Sequence, residues 1–146
     1  MALLFYDRNA GQGEFYDTDG QGNIALMKSY SGWRTTWTQI LPCTVAQSGS
    51  PNLFFYDSNA GAAEFYSTDF LANISQLSSS TYSKGWTFII PCRLGATYTD
   101  LLFYNRSSGL GQFYTPDGQG GINQVSSHTG WRTSWAEIVS VDLPHA

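Results

Sequence analysis

The segment Leu3-Leu4-Phe5-Tyr6-Asp7 decides the fold, because the chain of 146 residues contains it three times. Internal repetition at a period of about 20–50 residues indicates an architecture built from copies of one structural unit. We therefore predict a single domain of three units, at about residues 1–49, 50–98 and 99–146. The second and third copies of the segment are Leu53-Phe54-Phe55-Tyr56-Asp57 and Leu101-Leu102-Phe103-Tyr104-Asn105.

Two further segments repeat with nearly the same spacing. Glu14-Phe15-Tyr16 returns with Glu64 and then with Gln112 as its first residue, and a Trp-x-x-Ile segment begins at Trp37, Trp86 and Trp135. Aromatic and β-branched residues dominate these segments, and no stretch has a helical period of hydrophobic residues. The sequence therefore predicts an all-β protein with at least ten strands and no helix longer than about two turns. In the first unit the four predicted strands are Leu3–Asp7, Glu14–Asp17, Asn23–Tyr30 and Trp37–Leu41.

Two architectures use four-stranded units of this length. A β-trefoil closes with three units in one chain, whereas a β-propeller needs about four to eight four-stranded blades. Because closed two-fold dimers are the commonest oligomers, two chains would supply six blades. The predicted strands that begin at Leu3 and end at Val141 could pair, within one chain or across two, and so remove exposed edges. We favour a six-bladed propeller formed by a homodimer, with a single-chain β-trefoil as the alternative.

Composition excludes several classes of protein. Charged residues make up 12% of the chain and aromatic residues 16%, which is the opposite of a disordered composition. The net charge of −4 argues against a nucleic-acid partner. No apolar run approaches a membrane span and no signal peptide precedes Leu3, so we expect a cytoplasmic protein or one released without a signal peptide. Cys43 and Cys92 occupy equivalent positions in two units, and we expect them to be free thiols.

Motifs of catalysis and metal binding are weak. The repeated carboxylates Glu14 and Glu64 could suggest a glycosidase pair, but the third unit has Gln112 at this position. Residues 17–24 are similar to the first eight positions of an EF-hand loop, yet Lys28 stands where the bidentate Glu is required. A hairpin turn explains this loop better than a calcium site. We therefore expect no enzymatic activity, no cofactor and no metal.

Aromatic pairs provide the strongest candidate site. Trp33, Tyr82 and Trp131 each precede the Trp of the fourth predicted strand by four residues. The second Trp of each pair fits a buried slot, whose loss on change to Ala would cost about 3–5 kcal/mol. The first aromatic lies in a turn, and Arg34 and Arg132 follow Trp33 and Trp131 directly. A ring and a guanidinium together suit the apolar face and the hydroxyls of a sugar, with Glu14, Glu64 and Gln112 as acceptors. The alternative is that these aromatics pack between units and the Arg side chains cover them.

The order of these segments resembles that of a known group of repeats. A Trp-x-x-Ile strand, a Pro-Cys turn and the Thr99–Tyr104 strand are similar to FG-GAP/VCBS-type propeller repeats and to the blades of bacterial and fungal β-propeller lectins. This resemblance implies binding of glycans or glycoconjugates that end in fucose, galactose or GlcNAc. The function expected from it is a multivalent carbohydrate-binding lectin, and the alternative is a non-catalytic structural or protein-interaction module. The site residues expected from this and from the residues are Trp33, Arg34, Tyr82, Trp131, Arg132, Glu14, Glu64 and Gln112.

Overall fold

The computed structural model describes residues 1–46, 50–95 and 98–144, which form three antiparallel sheets and no helix. No helix able to span a membrane is therefore found in these three ranges. The prediction of an all-β protein with at least ten strands is confirmed. The first sheet contains β1 (Ala2–Asp7), β2 (Gln12–Thr18) and β3 (Ile24–Tyr30); the second contains β4 (Gln39–Cys43), β5 (Asn52–Tyr56), β6 (Ala62–Thr68) and β7 (Ile74–Thr81); the third contains β8 (Phe88–Cys92), β9 (Asp100–Asn105), β10 (Leu110–Pro116) and β11 (Ile122–His128).

The sheets are offset from the sequence repeats by one strand. The fourth strand of the first unit, β4, pairs with β5 of the second unit, and β8 pairs with β9 in the same way. Segment 135–141 repeats the sequence of β4 and β8 but forms no strand, which corrects the predicted strand through Val141. The reason is that no further copy of the Leu-Leu-Phe-Tyr segment follows it in these 146 residues. The first sheet consequently has three strands and the other two have four.

The second sheet lies between the other two and contributes to both hydrophobic clusters. Phe54 packs on Phe103 of the third sheet, with ring centroids 6.1 Å apart. Phe55 packs with Phe15 and Trp37 in the cluster that includes the first sheet. Trp37 and Trp86 are buried, as the predicted slot requires, whereas Trp135 is 43% exposed. Cys43 and Cys92 are free, as predicted.

A glycine at the end of the first hairpin of each unit fixes the aromatic segment that follows the third strand. Gly11, Gly61 and Gly109 all have φ between 64° and 74°. The carbonyl oxygen of Gly11 accepts a hydrogen bond from the Trp33 backbone N–H at 2.9 Å. A Cβ on Gly11 would lie 2.4 Å from the Trp33 carbonyl oxygen, so a side chain is excluded by both conformation and space.

A second small residue lies under the ring of that aromatic. A Cβ on Gly13 would lie 2.2 Å from the Trp33 ring, and one on Gly111 would lie 2.4 Å from the Trp131 ring. The middle unit has Ala63 at this position, and there the aromatic is Tyr82 rather than Trp. The larger indole therefore occurs with glycine, and the smaller phenol occurs with alanine.

Gly13→Ala is expected to destabilise the fold by about 1–3 kcal/mol, because the new methyl group overlaps the Trp33 ring. Adding Trp33→Tyr should recover part of this loss, since the middle unit already combines Ala with Tyr. Thermal unfolding of the two single variants and the double variant measures the coupling between the two positions. Gly95→Ala is the matched control, because no atom lies within 4 Å of its added Cβ. Purely additive effects at positions 13 and 33 would contradict the packing explanation.

Candidate functional site

A cavity of about 370 Å³ lies where the chain crosses from the first sheet to the second. Its volume falls in the range of small-molecule sites, and aromatic rings and a few polar groups form its walls. The crossing segment contributes one side of the cavity, and the face of the second sheet contributes the other. The lining residues are Gly32, Trp33, Arg34, Trp37, Phe55, Glu64, Tyr66 and Ile74.

Arg34 is held in the cavity wall by a ring and a carboxylate. Its guanidinium carbon lies 5.1 Å from the centre of the Trp37 ring, and Nη1 lies 3.4 Å from Oδ2 of Asp57. The Tyr6 hydroxyl donates to the Arg34 carbonyl oxygen at 2.5 Å, which fixes the backbone of the crossing segment. The guanidinium therefore has a defined position and can still donate to a molecule in the cavity.

Asp57 is a buried carboxylate beneath this arginine. Burial alone would raise its pKa, but the hydrogen bonds from Thr36, Asn59 and Ala60 and the charge of Arg34 hold the pKa below its usual value. The Thr36 hydroxyl donates to Oδ2 at 2.6 Å, and two backbone N–H groups donate to Oδ1. Asp57 is therefore ionised at neutral pH, and its charge orients Arg34.

Glu64 and Tyr66 form the polar pair on the opposite wall. Both lie on β6, and their spacing of two residues puts them on the same face of the strand. The Tyr66 hydroxyl donates to Oε2 of Glu64 at 3.1 Å. Burial and the neighbouring Glu64 charge raise the pKa of Tyr66 to about 12. Tyr66 therefore keeps its proton at neutral pH and orients the Glu64 carboxylate.

Trp33 is packed more closely than an isolated loop ring would be. Its ring stacks with Tyr6 and Tyr30, with centroids 6.3 and 5.7 Å apart. It also meets Phe55 edge-on at 5.4 Å. The ring thus lines the cavity and at the same time joins the first sheet to the second, so the functional and the packing interpretations both apply to it.

The corresponding place between the second and third sheets has no charged pair. Ser83 takes the position of Arg34, and Gln112 takes that of Glu64. The Tyr82 ring packs on Phe103 and Tyr114, at 5.8 and 6.0 Å. The Tyr114 hydroxyl donates to Gln112 at 2.9 Å. The predicted residues Tyr82 and Gln112 therefore both contact Tyr114, and this place has an amide but no guanidinium at the equivalent positions.

The other predicted residues lie at opposite ends of the row of sheets. Glu14 lies on β2, where it accepts a hydrogen bond from Tyr16 at 3.2 Å. Arg132 lies beyond the third sheet, with its guanidinium 4.9 Å from the Trp135 ring. Trp131 stacks with Tyr104 and His128. A single chain does not bring Glu14 together with Trp131 and Arg132.

Phe55, Asp57 and Tyr66 belong to the candidate site but were not among the residues predicted from the sequence. The Glu-Phe-Tyr repeat could have revealed Tyr66, because residues two apart in a strand share a face. Asp57 could not be distinguished from the turn residues Asp7 and Asn105, since its contact with Arg34 depends on how two units pack.

The loop that is similar to an EF-hand is a turn held by its own carboxylate. Oδ1 of Asp19 accepts hydrogen bonds from the backbone N–H groups of Gln21 and Asn23, at 2.8 and 3.1 Å. These bonds hold the pKa of Asp19 below its usual value, with the largest contribution from the Asn23 side chain. Asp69 and Asp117 make the same turn in the other units. Among the described residues, no group of three or more His, Cys, Asp or Glu side chains could hold a metal ion.

No family model and no curated protein matches the chain, so the resemblance to FG-GAP/VCBS-type repeats stays a prediction. The structure is similar to the crystal structure of a putative 6-phosphogluconolactonase from Bacteroides fragilis, with a TM-score of 0.61 and 10% sequence identity. The match covers 89% of this chain and 39% of that protein, so the chain spans about two fifths of the protein's length. At this identity the likeness shows the fold alone.

This comparison corrects the functional predictions. This solved structure is that of a protein named as a lactonase, and not of a sugar-binding protein. This finding contradicts the predictions of a carbohydrate-binding lectin, of a non-catalytic interaction module and of no enzymatic activity, because the fold is similar to that of a protein named as an enzyme. The resemblance in strand order and aromatic spacing misled the functional interpretation, because aromatic rings beside Arg and carboxylate groups suit binding and catalysis alike.

The variant Asp57→Asn is expected to make the stability of the fold less dependent on pH. Because the pKa of Asp57 is lower in the folded chain, its stabilisation is present above the ordinary Asp pKa of about 4 and is lost as pH falls through the folded value. Melting temperatures measured from about pH 7 to about pH 2 should fall less steeply in this variant. Asp142→Asn, at an exposed position, is the control. Equal slopes in the parent and Asp57→Asn would contradict the role of this carboxylate.

Proposed function

We propose that the three sheets are blades of a β-propeller hydrolase, and that the cavity between the first two sheets hydrolyses a neutral sugar lactone. The observation on which this depends is the arrangement of Arg34 and Glu64 in one aromatic-walled cavity of about 370 Å³. The likeness to a structure named as a putative 6-phosphogluconolactonase supports the reaction class.

Contacts between equivalent strands support the blade arrangement. β4 and β8 are the edge strands that pair with β5 and β9, and they contact each other. The Gln39 side chain on β4 accepts a hydrogen bond from the Ile89 N–H at 2.7 Å and donates to the Thr87 carbonyl at 3.4 Å. Such contacts between like strands of successive sheets are expected when blades surround a common axis. The single-chain β-trefoil is the alternative. The match covers only 39% of the solved structure, which favours a ring that contains more sheets than these three.

The two charged groups suit the two needs of ester hydrolysis. The Glu64 carboxylate accepts a proton from a water molecule as the water oxygen attacks the lactone carbonyl carbon. The Arg34 guanidinium stabilises the negative charge that develops on the carbonyl oxygen. The bond between this carbon and the ring oxygen then breaks, and the proton passes from Glu64 to the departing oxygen. The product is an open-chain hydroxy acid, and Glu64 is again ionised.

The charges around the cavity favour a neutral substrate over a phosphorylated one. Arg34 already has Asp57 as a partner, at 3.4 Å, and Glu64 adds a second negative charge to the walls. A phosphate group at pH 7 would bring about two further negative charges next to these carboxylates. The ring hydroxyls of a neutral sugar lactone can instead pack and hydrogen-bond against Trp33 and Tyr66.

The test is hydrolysis of glucono-1,5-lactone, followed by acid release at constant pH above the rate in buffer. We expect the parent protein to accelerate the reaction. The variant Glu14→Gln/Glu64→Gln should lower kcat/KM by about 10²–10⁴-fold, the usual contribution of a general base. Glu14 is changed together with Glu64 because Glu14 accepts a hydrogen bond from Tyr16 in the same way as Glu64 does from Tyr66.

Asp142→Asn removes one carboxylate at an exposed position and serves as the control for net charge. It should hydrolyse the lactone as the parent does. A parent protein no faster than buffer, or a double variant as active as the parent, would contradict the proposal. A lower KM for the 6-phosphorylated lactone than for the neutral one would contradict the argument from charge.

A further inference from the structure

We infer that a second copy of this chain binds along β1 and completes a second cavity from half-sites at the two ends of the chain. The pairing of the two copies is inferred from burial, strand register and side-chain contacts, whereas hydrolysis in the second cavity rests on the proposed function. Each unpaired end of the chain has equivalent segments that are paired in the interior.

The first observation is that equivalent segments of the repeat are exposed where a partner strand is missing and buried where it is present. Phe5 on β1 is 49% exposed, whereas its equivalents Phe55 and Phe103 are 2% and 0% exposed. Leu3 likewise is 43% exposed, and its equivalents are buried. At the other end of the chain Trp135 is 43% and Val139 is 71% exposed. Both apolar ends are therefore without the neighbours that the same residue types have in the interior.

The second observation is that the two ends match in register. Ile40 pairs with Phe55, and Ile89 pairs with Phe103. Pro42 and Pro91 pair with Leu53 and Leu101 in the same way. The repeat places Ile138 opposite Phe5, Val139 opposite Leu4, and Ser140 opposite Leu3. Segment 137–141 thus occupies the repeat positions of the fourth strand, which the first sheet lacks.

The third observation is that each end contains one half of the cavity already described. Trp131, Arg132 and Trp135 repeat Trp33, Arg34 and Trp37, and the guanidinium again lies over the second indole, at 4.9 Å compared with 5.1 Å. The Tyr104 hydroxyl donates to the Arg132 carbonyl, as Tyr6 does to that of Arg34. This half-site therefore makes both of these contacts without the opposite wall.

The opposite wall is present on the first sheet. Phe5, Glu14, Tyr16 and Ile24 occupy the positions of Phe55, Glu64, Tyr66 and Ile74, and the Glu–Tyr hydrogen bond is formed in both, at 3.2 and 3.1 Å. Asp7 makes the same turn as Asp57, since its Oδ1 accepts from two backbone N–H groups. Its Oδ2 would then be opposite Arg132 and the Ser134 hydroxyl, where Asp57 meets Arg34 and Thr36.

A second copy of the chain is the partner that binds along β1, because each copy has both the open strand β1 and the matching segment 137–141. In a two-fold pair, segment 137–141 of each copy joins β1 of the other, so that both open edges are used and all six sheets have four strands. Within one chain the second sheet lies between the two ends, which therefore do not meet. Six four-stranded sheets fall in the range of closed propellers.

The pairing is tested by a disulfide in the inferred register, in the variant Leu3→Cys/Ser140→Cys. Leu3 is exposed and position 140 is outside any strand, so the changes leave the core intact. Cα atoms of paired residues in antiparallel strands lie about 4.5–5.5 Å apart, within the range of disulfides. Burial raises the pKa of Cys43 to about 12 and of Cys92 to about 11, so these native thiols react slowly.

We expect a covalent dimer of twice the 16.1 kDa chain under non-reducing conditions. The control Leu4→Cys/Ser140→Cys should not cross-link, because a shift of one residue moves the thiol to the other face of the strand. Sedimentation of the parent should show a dimer, and Val139→Asp should give a folded monomer. A monomeric parent, an intrachain disulfide or a ladder of larger multiples would overturn the closed pair.

The second cavity is tested by complementation between copies in the Glu64→Gln background, which disables the cavity within each chain. Glu14→Gln and Arg132→Ala should each abolish the remaining hydrolysis of glucono-1,5-lactone. A mixed dimer of these two variants, isolated with two different affinity tags, should regain half of the composite-site activity. One of its two interfaces then has Arg132 from one copy and Glu14 from the other.

The outcomes separate the two proposals. Cross-linking without any hydrolysis by the parent supports the pair of copies and overturns the lactonase. Hydrolysis by the parent with no recovery in the mixed dimer supports the lactonase and overturns the composite cavity.

Discussion

The structure depends on the pairing of the last strand of one unit with the first strand of the next. β4 with β5, and β8 with β9, bury segments that would otherwise be exposed apolar edges. This pairing commits each unit to its neighbour, because no unit can complete a four-stranded sheet from its own residues. Burial of the repeated Phe and Tyr residues follows from it, and so does the exposure of β1, which has no such partner.

The same connection creates the candidate site. The crossing segment from β3 to β4 has to pass over the face of the second sheet, and it places Trp33, Arg34 and Trp37 opposite Glu64 and Tyr66. Glycine at position 11 allows the close approach of backbone to backbone, and glycine at position 13 allows the indole to lie flat on the strand. Packing between sheets and the shape of the cavity are therefore set by the same few residues.

The two junctions between sheets within the chain differ in charge although both place an aromatic residue over the neighbouring sheet. The first has Arg34 and Glu64, whereas the second has Ser83 and Gln112 and a Tyr82 ring packed against Tyr114. At the second junction, an amide and aromatic packing take the place of both charged groups. The two ends of the chain retain both groups, in Arg132 and Glu14.

The sequence by itself determined the all-β class, the three units and most strands, because strand periodicity and repeat spacing are local properties. It also identified Trp33, Arg34 and Glu64, whose residue types suit a polar ligand. Only the tertiary structure decided which unit supplies each strand of a sheet, and therefore that segment 135–141 pairs with no strand in the described part of the chain. It also decided that Asp57 contacts Arg34, and that the Trp33 ring both lines the cavity and packs between two sheets. These properties depend on contacts between residues more than 20 positions apart, which a local pattern does not encode.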